Sequence, residues 1–139
     1  MEFIHDRKQS HVNRLNYLNK KGYASLTARE IAEYNDYAAK GAYNYTDLNR
    51  VETAVAELAE MLGLSLETKT DWQIYDAPTA SDMSRYLGNV IAVVNAAMVI
   101  NPQLETKTLP TSMYWLTWET ANNIEYTLEQ VYKSLTGVM

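Results

Sequence analysis

Cysteine is absent from this chain of 139 residues, so it has neither a disulfide framework nor thiolate chemistry. That suits a reducing compartment and equally a particle that does without disulfides. Histidine occurs twice, at His5 and His11, which are not four residues apart and have no carboxylate pattern beside them resembling a zinc site. The five glycines are scattered, which excludes a glycine-rich phosphate cradle. There is no Gly-x-Ser-x-Gly elbow for an activated serine and no Asp-x-Asp-x-Asp calcium loop. The longest apolar run, Val90–Ile100, is interrupted by Asn95 and covers about half a membrane span. The opening Met1–Asp6 is unlike a signal peptide, so the chain reads as soluble, with no membrane partner.

Phenylalanine is also scarce, one against eleven tyrosines and three tryptophans. Tyr and Trp combine an apolar body with a polar tip, which suits an interface that must also tolerate water, or the rim of a tyrosine-rich core. The net charge is −5, unevenly placed. Residues 1–41 carry seven Lys/Arg against five Asp/Glu, and the remainder five against twelve. An acidic body argues against nucleic acid, whose phosphates need a basic patch. The split favours either head-to-tail contact between copies or, more simply, ordinary solvated faces.

Helix signals dominate what is present. Asp6, with Gln9 three residues later, reads as a first N-cap, followed by the stripe Val12, Leu15, Leu18 and a stop at Gly22. Thr27 and Glu30 form a capping box, with Leu26 and Ile31 at the staple positions; the helix runs through Ile31, Tyr34 and Ala38 to Gly41. A third helix opens at Thr46, carries Leu48, Val51, Val55, Leu58 and Leu62 on one face, and closes at Gly63. Thr79 opens the fourth and most hydrophobic helix, whose stripe runs from Met83 to Met98. Gly88 inside it either admits a neighbouring helix or is merely tolerated, and β-branched Val90–Val94 leaves room for a strand. Thr117 opens the last helix, with Ala121, Ile124, Leu128, Val131 and Leu135 inward and Gly137 beyond it.

Two repeats stand out. Leu-Glu-Thr-Lys-Thr occurs at Leu66–Thr70 and again at Leu104–Thr108, each copy ahead of a Trp-bearing loop and a threonine-opened helix. Asn49-Arg50-Val51-Glu52 matches Asn122-Asn123-Ile124-Glu125. Asn and Glu three apart share a helix face, and beside an apolar stripe they must be paired if buried. Asn49, Glu52, Asn122 and Glu125 therefore read as structural glue rather than catalytic groups. Repeated units build surfaces and assemblies more often than single active sites.

The expectation is one mainly α domain, a compact bundle of about five helices. Residues 1–41 form a helical N-terminal arm and 42–139 a core, with residues 64–70 and 103–109 pairing as a short two-stranded β-ribbon. No catalytic residue, cofactor or metal is assigned. Trp72, Trp115, Trp118, Tyr43, Tyr45 and Tyr114 are the candidates for an interface or for stacking on a ligand.

The stretch Tyr45-Thr46-Asp47-Leu48-Asn49-Arg50-Val51-Glu52 resembles a motif of phage and prophage structural proteins of Gram-positive bacteria. The resemblance extends over Asp6-Arg7, Gly22-Tyr23, Leu26-Thr27, Gly41–Tyr45, Thr70-Asp71-Trp72, Pro78-Thr79 and Leu116-Thr117 with Ala121–Glu125. It implies a non-enzymatic virion component of the tail, baseplate or fibre region, made in the host cytoplasm. Its implied partners are other virion proteins and further copies of itself. A carbohydrate-binding module for host cell-wall glycan is the alternative, since the same tryptophans could stack on sugar rings. A small hydrolase is the weakest reading, because carboxylate pairs such as Glu57 with Glu60 need a cleft that sequence cannot supply.

Overall fold

A computed structural model describes residues 1–137, leaving aside the side chains of residues 35–39. Ala38, read above as part of a helix stripe, falls among those side chains. Among the described residues there are five α-helices: α1 (Gln9–Lys21), α2 (Ala28–Gly41), α3 (Tyr45–Leu62), α4 (Ala80–Ile100) and α5 (Trp118–Thr136). Single 3-10 turns lie at Tyr23–Ser25 and Met113–Trp115. The compact helical bundle expected from sequence is what forms.

The caps explain most boundaries. Thr27, Thr79 and Thr117 each accept a hydrogen bond from the backbone N–H three residues on, which is worth about 1 kcal/mol apiece. Two expected starts move. Asn44, not Thr46, caps α3: its Oδ1 accepts the Thr46 N–H at 2.9 Å, and Asp47 accepts the Asn44 N–H at 2.9 Å. An Asn-x-x-Asp box two residues upstream thus displaces the threonine. Asp6 does not cap α1 either; Lys8 holds that place, and the Asp6 carboxylate meets Lys40 at 2.8 Å. Gly63 and Gly137 end α3 and α5 in the left-handed region.

Helices α3, α4 and α5 pack together and run parallel. Near their N-termini Arg85 of α4 reaches Glu52 of α3, and Arg50 of α3 reaches Glu125 of α5. At the other end Asn101, just past α4, donates to Ser134 in α5 at 3.1 Å. The core between them holds Val51, Val55, Leu58, Tyr86, Val90, Val93, Ile124, Leu128 and Val131. Val90–Val94 is helix, so the strand alternative falls: Val90, Val93 and Val94 are buried on one stripe and gain more from packing than their β-propensity opposes.

Parallel neighbours require the chain to travel back between them. Residues 64–72 return along α3, and 102–110 return beside α5. The N-terminal residues 3–7 do the same on α5, where Phe3 lies beside Tyr132 and His5 beside Glu129. The expected β-ribbon is not formed, and the described residues contain no strand. The two pentapeptides sit in different grooves. Lys69 N–H donates to Glu52 of α3 at 2.9 Å, while Lys107 N–H donates to Thr127 of α5 at 3.1 Å. The alternation of the first reflects one side facing the helices, with Leu64 and Leu66 half-buried against the core; in the second, Leu104 and Leu109 are half-buried and flank an exposed run at 105–108.

Helices α1 and α2 form a hairpin inserted between the N-terminal segment and α3. Gly41 is the point of closest approach, since a Cβ there would stand 2.7 Å from the His11 carbonyl oxygen and 2.9 Å from Leu15 Cβ. Ion pairs Arg14–Glu33 and Lys21–Glu30 tie the hairpin together.

Candidate functional site

Of the six residues predicted to carry interfaces, Trp72 is bound directly by two of the four predicted to act as glue, Asn49 and Glu52. The four polar residues form two clamps of the same design. Asn49 holds the backbone of Trp72 from both sides, accepting its N–H at 2.7 Å and donating to its carbonyl at 2.9 Å. Asn122 holds Arg7 in the same way, at 3.0 and 2.9 Å. One turn further on, Glu52 accepts from four donor atoms: Lys69 N–H, the Trp72 indole N–H at 2.7 Å, and both Nη nitrogens of Arg85. Glu125 accepts Ile4 N–H at 2.9 Å, the Arg7 guanidinium at 2.7 Å, and Arg50 through both Nε and Nη2.

The second clamp extends into a charge cluster. Asp47, fully buried, accepts from Arg7 at 3.0 Å and Arg50 at 2.6 Å. Two arginines thus face two carboxylates inside the bundle, and the cluster is neutral. Burial works against the charge on Arg7, but Glu125 and Asp47 outweigh it and hold the guanidinium above its ordinary range. Arg50 is raised for the same reason, burial being overcome chiefly by Glu125. A carboxylate offers about four acceptor positions, and both glutamates have theirs filled by fixed donors. Neither has a free oxygen aimed at a cavity, as a general base or nucleophile needs. Above the cluster, Tyr43 and Tyr86 share a hydroxyl–hydroxyl contact, and burial pushes both phenols up. No buried polar side-chain atom among the described residues lacks a partner, and no group of three or more His, Asp or Glu is placed to hold a metal.

The aromatic candidates divide. Trp72 is 4% exposed and anchored by its indole to Glu52, so it is a core residue and no stacking surface. Trp118 is half-buried and donates to Gln9 at 2.9 Å. Tyr43 and Tyr45 are half-buried against the core. Only Tyr114, 84% exposed, and Trp115, 67% exposed, project from the molecule. Their rings meet edge to face, with centroids 4.9 Å apart at 90°. The two connector tryptophans, Trp72 buried and Trp115 exposed, stand in unlike environments. Thirty-eight residues separate the two pentapeptides, and by that spacing Trp72 corresponds to Pro110, not to Trp115.

Two exposed residues escaped the sequence reading. Ile74 and Tyr75, 78% and 80% exposed, sit on the loop before α4, and Tyr114 and Trp115 on the loop before α5. From Trp72 to the Thr79 cap is seven residues, as it is from Pro110 to the Thr117 cap. Both loops lie at the end of the bundle where the helices begin. Ile74 borders one open cleft of about 660 Å³ and Tyr114 another of about 650 Å³, and the clefts share Tyr43, Pro78 and Met83. The equal loop lengths were a legible signal, overlooked because Ile74-Tyr75 lacks a tryptophan. The arginines were not legible, since Arg7, Arg50 and Arg85 find their glutamates on other elements.

The fold and these clamps define a parallel three-helix bundle whose grooves are filled by its own returning chain. No family model, curated protein or solved structure matches the chain.

Proposed function

We propose that the protein is a non-enzymatic structural module of a phage particle, of the tail, baseplate or fibre region, working by contact with other virion proteins and further copies of itself. The particle assignment rests on the resemblance carried by Tyr45–Glu52 and the stretches around it. The mode of action rests on one observation. The buried polar groups are consumed in holding the chain together, while Ile74, Tyr75, Tyr114 and Trp115 are spent outward on two loops at one end. Large apolar and aromatic side chains presented together are the usual anchors of protein interfaces.

The carbohydrate reading is less well supported. A sugar platform calls for exposed, coplanar indoles, and the only indole that projects is Trp115, set perpendicular to Tyr114. Mass spectrometry of purified particles from a host carrying the gene tests the proposal. The protein is expected in stoichiometric amount in the particles, and the double variant Tyr114→Ala/Trp115→Ala is expected to fall in occupancy by tenfold or more, about 1.4 kcal/mol or above. A folded wild-type protein found only outside the particles contradicts it, and binding to a cell-wall glycan array would favour the alternative.

A further inference from the structure

Helix α4 is long and apolar enough by length and composition to cross a membrane, yet only 33% of its most apolar 18-residue window is buried in the bundle. Its outward face carries Ser84, Gly88, Ile91, Asn95, Met98 and Val99, of which Val99 is 83% exposed and Ile91 39%. These positions recur every three or four residues and form one strip along the helix. Residues 86–104 contain no Asp, Glu, Lys or Arg. The neighbouring helices differ: α3 exposes Glu57 and Glu60, and α5 exposes Glu119.

We infer that the outward face of α4 is the contact surface for a second copy of this chain, the two helices crossing near Gly88 and Ile91. The inference deepens the assembly reading above and rests on it. Charge decides the occupant. Copies of an acidic protein repel wherever their carboxylates meet, and the core region carries twelve acidic against five basic residues. The α4 strip is where two identical surfaces can meet without opposing charges, as a twofold contact demands. It offers no charge to select an oppositely charged partner instead.

Geometry agrees with charge. Gly88 is exposed, and a Cβ placed there would meet nothing within 4 Å, so a partner backbone can approach closely. Beside it opens the cleft of about 650 Å³ lined by Met83, Leu87, Ile91, Met113 and Leu116, sized to take side chains from the facing helix. A helix of 21 residues is about 31 Å long. The strip from Ser84 to Val99 runs along most of that length.

The test is sedimentation equilibrium of the full chain, with far-UV circular dichroism as the control for folding. The wild type is expected to dimerise, and Ile91→Glu to weaken the dimer at least tenfold while melting as the wild type does. Met61→Glu, on the exposed face of α3, should leave the dimer unchanged. Because the chain has no cysteine, a short bis-maleimide should join Ile91→Cys copies in pairs and leave Glu57→Cys copies single. A wild-type monomer at several hundred micromolar overturns the inference, as does a dimer that survives Ile91→Glu. So does partition of the wild type into phosphatidylcholine vesicles that Ile91→Glu abolishes, because lipid would then be the occupant. A monomer still built into particles sinks this contact alone; a dimer absent from particles sinks the virion assignment and spares the contact.

Discussion

Glu125 and Glu52 do the same job with unequal consequences. Glu125 is fully buried beside two arginines and Asp47, and removing its charge leaves the buried Arg7 and the partly buried Arg50 sharing one carboxylate. Breaking one member of a buried ion network costs roughly 3–5 kcal/mol. Glu52 faces an Arg85 whose side chain is 21% exposed, so solvent can replace part of what is lost. Its removal should cost about 1–3 kcal/mol, mainly through the orphaned Trp72 indole and Lys69 N–H. Urea unfolding should rank Glu125→Ala below Glu52→Ala and both below wild type; equal midpoints for all three would contradict the clamps. The pairing of Asn with Glu three residues later was legible because helical spacing fixes a shared face. Their partners were not, because nothing in local spacing brings Arg7 to a residue 118 positions away.

At the scale of elements, caps and glycine stops were readable and the strand was not. Thr27, Thr79 and Thr117 open helices because a side-chain oxygen satisfies an otherwise unpaired N–H, a local effect. Leu64–Thr70 alternates because one side faces a groove between helices, a pattern that period-two reading cannot distinguish from a sheet. The α1–α2 hairpin depends on a different local feature. At Gly41 a methyl group would run into the His11 carbonyl and Leu15, so Gly41→Ala must push the two helices apart. It should destabilise the protein by about 1–3 kcal/mol despite the better helix propensity of Ala. Ala inserted instead at Gly88, where nothing stands within 4 Å, should not destabilise the fold. Thermal melts of the two variants moving alike would contradict the close approach.

The whole molecule is built on a threefold plan with one groove altered. Counting from each cap, the fifth and eighth positions are Asn49 and Glu52 in α3, Asn122 and Glu125 in α5, and Ser84 and Leu87 in α4. The sixth are Arg50, Asn123 and Arg85. Each sixth residue serves the preceding helix's groove: Arg85 reaches Glu52, Arg50 reaches Glu125, and Asn123 donates to the Thr108 carbonyl at 2.8 Å. In the groove with Leu87 the returning chain carries buried Pro110 where the others carry Trp72 and Arg7. Proline has no N–H to be accepted, so the missing Asn and Glu leave nothing unpaired. The plan surfaced in the sequence as two fragments, a repeated pentapeptide and a repeated Asn–Glu pair. Their common origin stayed hidden because the hairpin interrupts the first unit and the third groove is apolar.

Returning segments that belong to the fold, rather than loops lying on it, are what this plan requires. Amide hydrogen exchange measures that directly at Ile4, Arg7, Lys69, Trp72 and Lys107, whose N–H groups donate to helix side chains. Their protection should match that of the α3 core amides around Val51 and Val55, and in Glu125→Ala it should collapse at Ile4 and Arg7 first. Exchange at these five sites at the rate of free chain, with the helices still protected, would contradict the account.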